Sequence, residues 1–261
     1  DKKGGHGIVD MQKSIVESCD TYYYMLARDM GVNMMHDFMK PFGFGQITGI
    51  DLQGEARGVL PSTTWKKDTF KKPEQQKWYE GETISLGIGQ GYNSFTILQL
   101  AHAMANLANN GIVMKPHLVK AIEDPFTRNR VLTTPKESYR IDLNPENVEV
   151  IKKAMVEVNI SGTSAAAFKG AEYIAGGKTG TAQVFSLNSK DYKHGATAEF
   201  LRDHALYIAF APADKPKIVI AMVVENAGFG AQYAAPIARK ALDYYIEGKW
   251  PKEVPEWKRA P

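Results

Sequence analysis

The sequence predicts an α+β fold in which helices flank an antiparallel sheet. Three observations carry this. Helical spacing of apolar residues dominates the first 160 positions. The period then changes to that of strands in 173–185, 203–212 and 217–226, the last two joined by "ADKP", a tight turn that makes them an antiparallel hairpin. A final segment, 231–248, returns to the helical period. Helices first and strands late is the α+β pattern, not the alternation of α/β folds.

Taken in order, "IVDMQKSIVES" (8–18) and "DTYYYMLARDMG" (20–31) read as helix, break, helix, with Asp20 or Thr21 as a cap and Gly31 as a stop. "VNMMHDFMKPFGFG" (32–45) is a short helix halted by Pro41. Residues 46–82 lack periodicity and read as a long surface excursion with a short helix near Trp65. Loops of that length usually carry function. Its basic run "WKKDTFKK" (65–72) reads as a solvated loop. "ISLGIGQGYNS" (84–94) has a strand-like start followed by three glycines, which either bring backbone near a ligand or serve packing. Residues 96–111 form a helix with Ile97, Leu100, Ala101, Met104, Leu107 and Ala108 on one face, ended by Gly111. Residues 113–122 are extended and 123–146 turn-rich. Residues 144–159 are helical, with Pro145 in the first turn and Val148, Ile151, Met155 and Val158 in register. In the closing helix, Ile237, Ala241, Tyr244 and Tyr245 are expected to face the sheet.

The length of 261 residues suits one or two domains with a core large enough to need no staples. A net charge of +3 without a dense Lys/Arg run argues against nucleic acid. The single cysteine, Cys19, excludes an internal disulfide. The longest apolar run, Ile218–Val224, is far short of a membrane span. The opening "DKKGGHG" has no signal-peptide character and reads as the start of a fragment.

Chemistry first shows itself in "GGKTG" (176–180). A phosphate loop would need a glycine at 172, where Glu172 stands, and a helix directly after Thr179, where "GTAQVF" is strand-like. The other reading is a Lys-Thr-Gly edge strand of an acyl-transfer site. On a strand, Lys178 and Gly180 share one face and Thr179 turns the other way. Gly180 lets a substrate backbone lie close. Lys178 gives a positive charge beside a serine network, a hydroxyl of Thr179 or Thr181 can bind a carboxylate, and the Thr181 N–H can serve an oxyanion. Three residues are a weak motif by themselves, and a solvated Lys-Thr pair is the bland alternative. A second element is "ESCDTYYY" (17–24). Its Ser18-Cys19-Asp20 can relay a proton in acyl transfer or simply cap a helix.

Six stretches then occur in order: "SIVESCDTYYYMLARDMG", "FGFGQITGIDL", "GIGQGY", "GKTGTAQVF", "LRDHALYIAFAP" and "MVVENAGFG". Together they resemble the class B penicillin-binding proteins, most closely the elongation-specific transpeptidases of rod-shaped bacteria, over nearly the whole chain. The resemblance implies the penicillin-binding/serine β-lactamase-like fold, with 1–261 as the C-terminal portion of one transpeptidase domain that supplies the later strands of its sheet. It implies peptidoglycan cross-linking by DD-transpeptidation, with D-Ala-D-Ala stem peptides as substrates and β-lactams as mimics. Ser18 and Asp20 become the second motif, Ser-x-Asp where the family has Ser-x-Asn. Lys178, Thr179 and Gly180 become the third, with Thr181 giving the oxyanion N–H. It also implies the periplasmic face of the inner membrane, an N-terminal anchor not in this sequence, a membrane glycan polymerase and cell-shape scaffold proteins as partners.

The first family motif, Ser-x-x-Lys, is missing: none of the ten serines has a lysine three residues on. In the family it lies upstream, so it is expected before Asp1, and the chain by itself is expected not to be acylated. Catalysis needs no cofactor on this reading. Cys19 is either a small buried hydrophobe or, with Asp1 and His6, a ligand of a structural zinc. Some members of the resembling branch carry a zinc there with a further carboxylate upstream. "SLNSKDYKHGATAEF" (186–200) is either a plain loop or a flap over the cleft. His36, His102, His117 and His204 read as structural and His194 as solvated. The rival functions are a β-lactamase or β-lactam sensor of related fold, and a non-catalytic module that binds peptidoglycan peptides.

Overall fold

The computed structural model describes residues 4–184 and 199–253. Asp1 and nearly all of the expected flap, His194 included, therefore lie outside the described residues. Along the chain come α1 (Met11–Val16), α2 (Asp20–Met39), α3 (Thr63–Thr69), α4 (Pro73–Gln76), α5 (Glu80–Leu86), α6 (Ile97–Ala108), β1 (Ile112–Met114), β2 (Ala121–Glu123), β3 (Arg130–Leu132), β4 (Glu137–Arg140), α7 (Pro145–Ile160), α8 (Ala165–Phe168), β5 (Gly176–Ala182), β6 (His204–Ala211), β7 (Ile218–Val224) and α9 (Ala234–Glu247). The chain divides into two compact units, residues 1–26 with 146–261, and residues 27–145.

In the first unit, β5, β6 and β7 form an antiparallel sheet in that order, so β5 is an edge strand of the described sheet. The register pairs Lys178 with Ile208, Thr179 with Tyr207 and Gly180 with Leu206. One face of β6 presents Ala205, Tyr207, Ala209 and Ala211, all fully buried, to Ala234, Ala235, Ala238 and Leu242 of α9. Small residues on both sides let the helix lie close to the sheet, and the period of two on β6 meets a helical stripe on α9. The face expected for α9 was the wrong one. Ile237, Tyr244 and Tyr245 are exposed, and Tyr244 instead packs on Trp250, ring centroids 4.4 Å apart. The alanine row wins because small residues on both elements bring helix and strand too close to admit bulky side chains between them. Across the sheet end, the Tyr173 hydroxyl donates to Asp243 of α9 (2.8 Å).

The second unit holds the rest of α2, the helices α3 to α6 and two short antiparallel ladders, β1 with β4 and β2 with β3. Gly31, at φ 73° and ψ 158°, breaks α2 where the sequence placed a stop. Three expectations are corrected here. The stretch at 84–94 opens as α5, not as a strand, because Glu82 accepts from the Tyr79 N–H (2.8 Å) and caps that helix. The turn-rich 123–146 contains β3 and β4. Lys66 is not solvated: it is buried, ion-paired with Glu82, donates to Lys77 O (2.8 Å) and faces the Trp78, Tyr79 and Tyr92 rings. In α6, Gln99 is buried and donates to Gln46 O (2.6 Å) and Arg57 O (2.7 Å), fastening the unperiodic segment to a helix. His102 bonds Met114 O (3.1 Å), a structural role as expected, and in the first unit His204 accepts from the Asn226 N–H (2.9 Å) in the same capacity.

Candidate active site

The helix α1 is started by Asp10, whose carboxylate accepts from the Lys13 N–H (2.8 Å). It ends at Glu17. Ser18 follows with φ 52°, a left-handed conformation that serine rarely adopts. The Cys19 N–H then returns to Ser14 O (2.9 Å), and α2 begins at Asp20. This tight corner holds the Ser18 hydroxyl out from the helix axis.

Across 160 residues of sequence, β5 brings Lys178 to that corner. Lys178 Nζ donates to Ser18 Oγ and to Thr179 O (3.0 Å). Burial of the amine pushes the Lys178 pKa down to about 8, while the exposed Asp20 carboxylate acts in the opposite direction. The Thr179 hydroxyl shares a hydrogen bond with the Thr163 hydroxyl (2.9 Å). Gly180 is enclosed by two neighbours. A Cβ on it would meet Leu206 Cβ at 3.3 Å, and a Cβ on Gly230 would collide with the Gly180 peptide. Ser18, Asp20, Lys178, Thr179 and Gly180 are thus one neighbourhood, with Thr181 next along the strand.

The glycines ahead of Lys178 have a packing reason. A Cβ on Gly176 would overlap the Phe210 ring, and one on Gly177 the Tyr207 hydroxyl. That hydroxyl donates to Asn159 Oδ1 (2.6 Å), which also accepts from Ser164 Oγ (2.6 Å), while Asn159 Nδ2 donates to Ala175 O (2.7 Å). All three side chains are buried and bonded, so the start of β5 is fixed to the end of α7. Sequence reasoning singled out none of Asn159, Thr163, Ser164 or Tyr207.

A groove of about 670 Å³ beside the corner is lined by His6, Glu17, Ser18, Cys19, Asp20 and Tyr22 among others. Cys19 is buried, and His6 Nε2 lies 3.6 Å from a Glu17 oxygen. Among the described residues no three His, Cys, Asp or Glu side chains converge on one point. His6 and Cys19 line the same groove and fit two ligands of a metal; the third expected ligand, Asp1, lies outside the described residues.

A serine hydroxyl held by an amine of lowered pKa, at an open strand edge, suits proton relay during acyl transfer. Residues 1–243 match the family described as "Penicillin binding protein transpeptidase domain". The chain is 44% identical over 259 residues to the peptidoglycan D,D-transpeptidase MrdA of Haemophilus influenzae, covering 96% of this chain and 38% of that protein. Its fold matches the crystal structure of Pseudomonas aeruginosa PBP2 in complex with WCK 5153 with a TM-score of 0.76 at 37% identity, over 95% of this chain and 52% of that one. It also matches PBP2 of Helicobacter pylori in its complex with MreC, with a TM-score of 0.74 at 28% identity, over 94% and 41%. The chain therefore spans roughly two fifths of the curated relative's length. The motif residues gathered at one corner and the match over almost every residue agree, and the chain belongs to the penicillin-binding protein transpeptidase-domain family.

Proposed function

We propose that the full-length protein cross-links peptidoglycan by D,D-transpeptidation through an acyl-enzyme and is a target of penicillin. This chain supplies the Ser-x-Asp and Lys-Thr-Gly elements of the site. The acylated serine and its lysine come from a Ser-x-x-Lys outside the given sequence. The observation that carries the reading is the hydrogen bond from Lys178 Nζ to Ser18 Oγ.

In the first half-reaction the nucleophilic serine gives its proton to the lysine of its own motif and attacks the penultimate D-alanine carbonyl, and terminal D-alanine leaves as its amine. Ser18, its oxygen held by Lys178, hands the leaving nitrogen a proton and is reprotonated from that lysine. In the second half an acceptor amine attacks the ester, its proton returns through Ser18 to the lysine, and the departing serine oxygen takes a proton from the lysine. The charge of Lys178 and a hydroxyl of Thr179 or Thr181 hold the substrate carboxylate, and the Thr181 N–H donates to the oxyanion. Gly180 adds no side chain to the strand between Lys178 and Thr181, where the substrate would lie. Asp20 supports the charged form of Lys178.

His6 and Cys19, with Asp1, would hold a structural zinc that braces the approach to α1. Elemental analysis of the intact domain decides this, and absence of zinc withdraws it. Among the described residues no helix is long and apolar enough to cross a membrane; the family resemblance is what supports a membrane-anchored protein with its site in the periplasm. The Helicobacter pylori relative in complex with MreC supports a shape-determining scaffold protein as a partner, and the family resemblance supports a glycan polymerase.

Labelled penicillin tests the reading. The full-length protein is expected to carry a long-lived adduct, and the isolated chain none. An adduct on the isolated chain would refute the assignment of the nucleophile elsewhere. Rapid deacylation of the full-length adduct would make the protein a β-lactamase. Binding of D-Ala-D-Ala ligands without chemistry in the full-length protein would make it a binding module.

A further inference from the structure

The six residues that leave α7, 159–164, touch both halves of the site. On one side Asn159 Nδ2 bonds Ala175 O, three residues ahead of Lys178 (2.7 Å), and Asn159 Oδ1 accepts from Tyr207, the residue opposite Thr179 in the β5–β6 register. On the other side Gly162 approaches α1 so closely that a Cβ on it would collide with Val16 O, two residues before Ser18, and stand 2.7 Å from Val158 Cα. This turn therefore cannot slide relative to either element. From it Thr163 places its hydroxyl 2.9 Å from that of Thr179. Its neighbour Ser161 instead donates to Glu157 on the exposed side (2.9 Å).

A threonine hydroxyl carries one proton and rotates to suit its partners. If the Thr179 proton is given to Thr163, none is left for an anion. If Thr163 gives its proton to the Thr179 oxygen, the Thr179 proton turns outward. Binding of a carboxylate by Thr179 selects the second state, a chain in which Thr163 donates to Thr179 and Thr179 donates to the anion. Each bond in such a chain polarises the next.

We propose that Thr163 is a positioning residue for the carboxylate end of the substrate, setting the direction of the Thr179 hydroxyl from a turn that Asn159 and Gly162 hold rigid. The inference rests on the transpeptidase reading above, since it takes the Thr179 edge to be where a carboxylate binds.

The test is the concentration dependence of acylation of the full-length protein by labelled penicillin, which separates half-saturation from the limiting rate. Thr163→Val keeps the shape and removes the hydroxyl. It is expected to raise half-saturation about fivefold to tenfold, the size of one lost neutral hydrogen bond, with the limiting rate and thermal midpoint nearly unchanged. Thr163→Ser should restore wild-type behaviour, and Ser161→Ala should never depart from it. Thr163→Val should add nothing in a Thr179→Val background. Two outcomes overturn the inference while the reading stands: Thr163→Val indistinguishable from wild type, or a joint loss of midpoint and acylation that Thr163→Ser does not repair. The reading itself falls separately, if wild-type protein takes no label or if Lys178→Met takes it at the wild-type rate.

Discussion

Lys66 and Lys178 both withdraw their amines from water, and they end in different states. Lys66, in the second unit, meets a carboxylate, Glu82, and three aromatic faces. Burial pushes the Glu82 carboxyl up, but hydrogen bonds from Lys66, the Tyr79 N–H and Tyr92 outweigh it and leave the carboxyl below its usual range. The pair is a closed circuit of opposite charges. Lys178, in the first unit, is held by a hydroxyl and a carbonyl, both neutral, so burial acts on it and its pKa falls to about 8. A buried lysine with a carboxylate of its own is part of the scaffold. One held by neutral oxygens keeps unspent charge for a ligand and can give up its proton near neutral pH.

The contrast breaks most sharply on substitution. Lys178→Met is expected to lower the acylation rate of the full-length protein by about 10²–10³, the usual effect of removing one charged or oxyanion-stabilising donor, with little loss of folding stability. Lys66→Met leaves the half-buried Glu82 carboxylate without its ammonium, though still bonded to the Tyr79 N–H and Tyr92, which costs about 1–3 kcal/mol. Its thermal midpoint should fall by about 3–10 °C, with acylation per folded molecule unchanged. Rate measurements and thermal melts on the two variants check this. If Lys66→Met cuts the rate of folded protein, or Lys178→Met melts the fold and spares the rate, the division of roles is wrong.

Titration sharpens the same point. The folded-state pKa of Lys178, about 8, lies below its ordinary value of 10.5. Between those values the unfolded chain holds a proton that the folded chain does not, so stability rises with pH across that window. Below pH 8 the cost of keeping the amine charged inside the fold is present in full. Relative to Lys178→Met, the wild-type chain should gain roughly 3 kcal/mol between pH 8 and 10.5, read by chemical denaturation at each pH. Asp20→Asn, which removes the charge that supports the ammonium, should move the midpoint of that gain to lower pH. A flat difference between wild type and Lys178→Met would mean that Lys178 is not desolvated.

Much of the site could be read from the sequence because its key residues sit in local patterns. A strand period with Lys178 before Gly180, and a helix break at Ser18, are visible within a few residues of each. The antiparallel pairing of the last two strands followed from the same periodicity and the short turn between them; that β5 lies beside β6 did not. What stayed hidden depends on contacts distant in sequence. Nothing near Thr163 says that its hydroxyl meets Thr179, and nothing near Asn159 says that Tyr207 and Ala175 converge on it. Lys66 looked like part of a basic surface run because its partner, Glu82, is sixteen residues away. The burial of α9 was misjudged because size was taken as the guide, where the close fit of alanines to β6 decides.

The smallest effect concerns the corner itself. Ser18 pays for its left-handed backbone, a strain of about 1 kcal/mol for a residue with a Cβ and almost none for glycine. Ser18→Gly relieves that strain but loses the hydrogen bond from Lys178, so it should leave the chain about as stable as wild type. Ser18→Ala loses the same hydrogen bond and keeps the Cβ and the strain, so it should be the less stable of the two by about 1 kcal/mol. Both remove the proton relay and should slow acylation of the full-length protein alike. Denaturation of both variants at pH 7, set beside their acylation rates, separates backbone from hydroxyl. If glycine proves less stable than alanine, the corner is not strained, and the left-handed Ser18 is a feature of geometry with no stored cost. If the two differ in acylation rate, the backbone of the corner contributes to the reaction beyond presenting the hydroxyl.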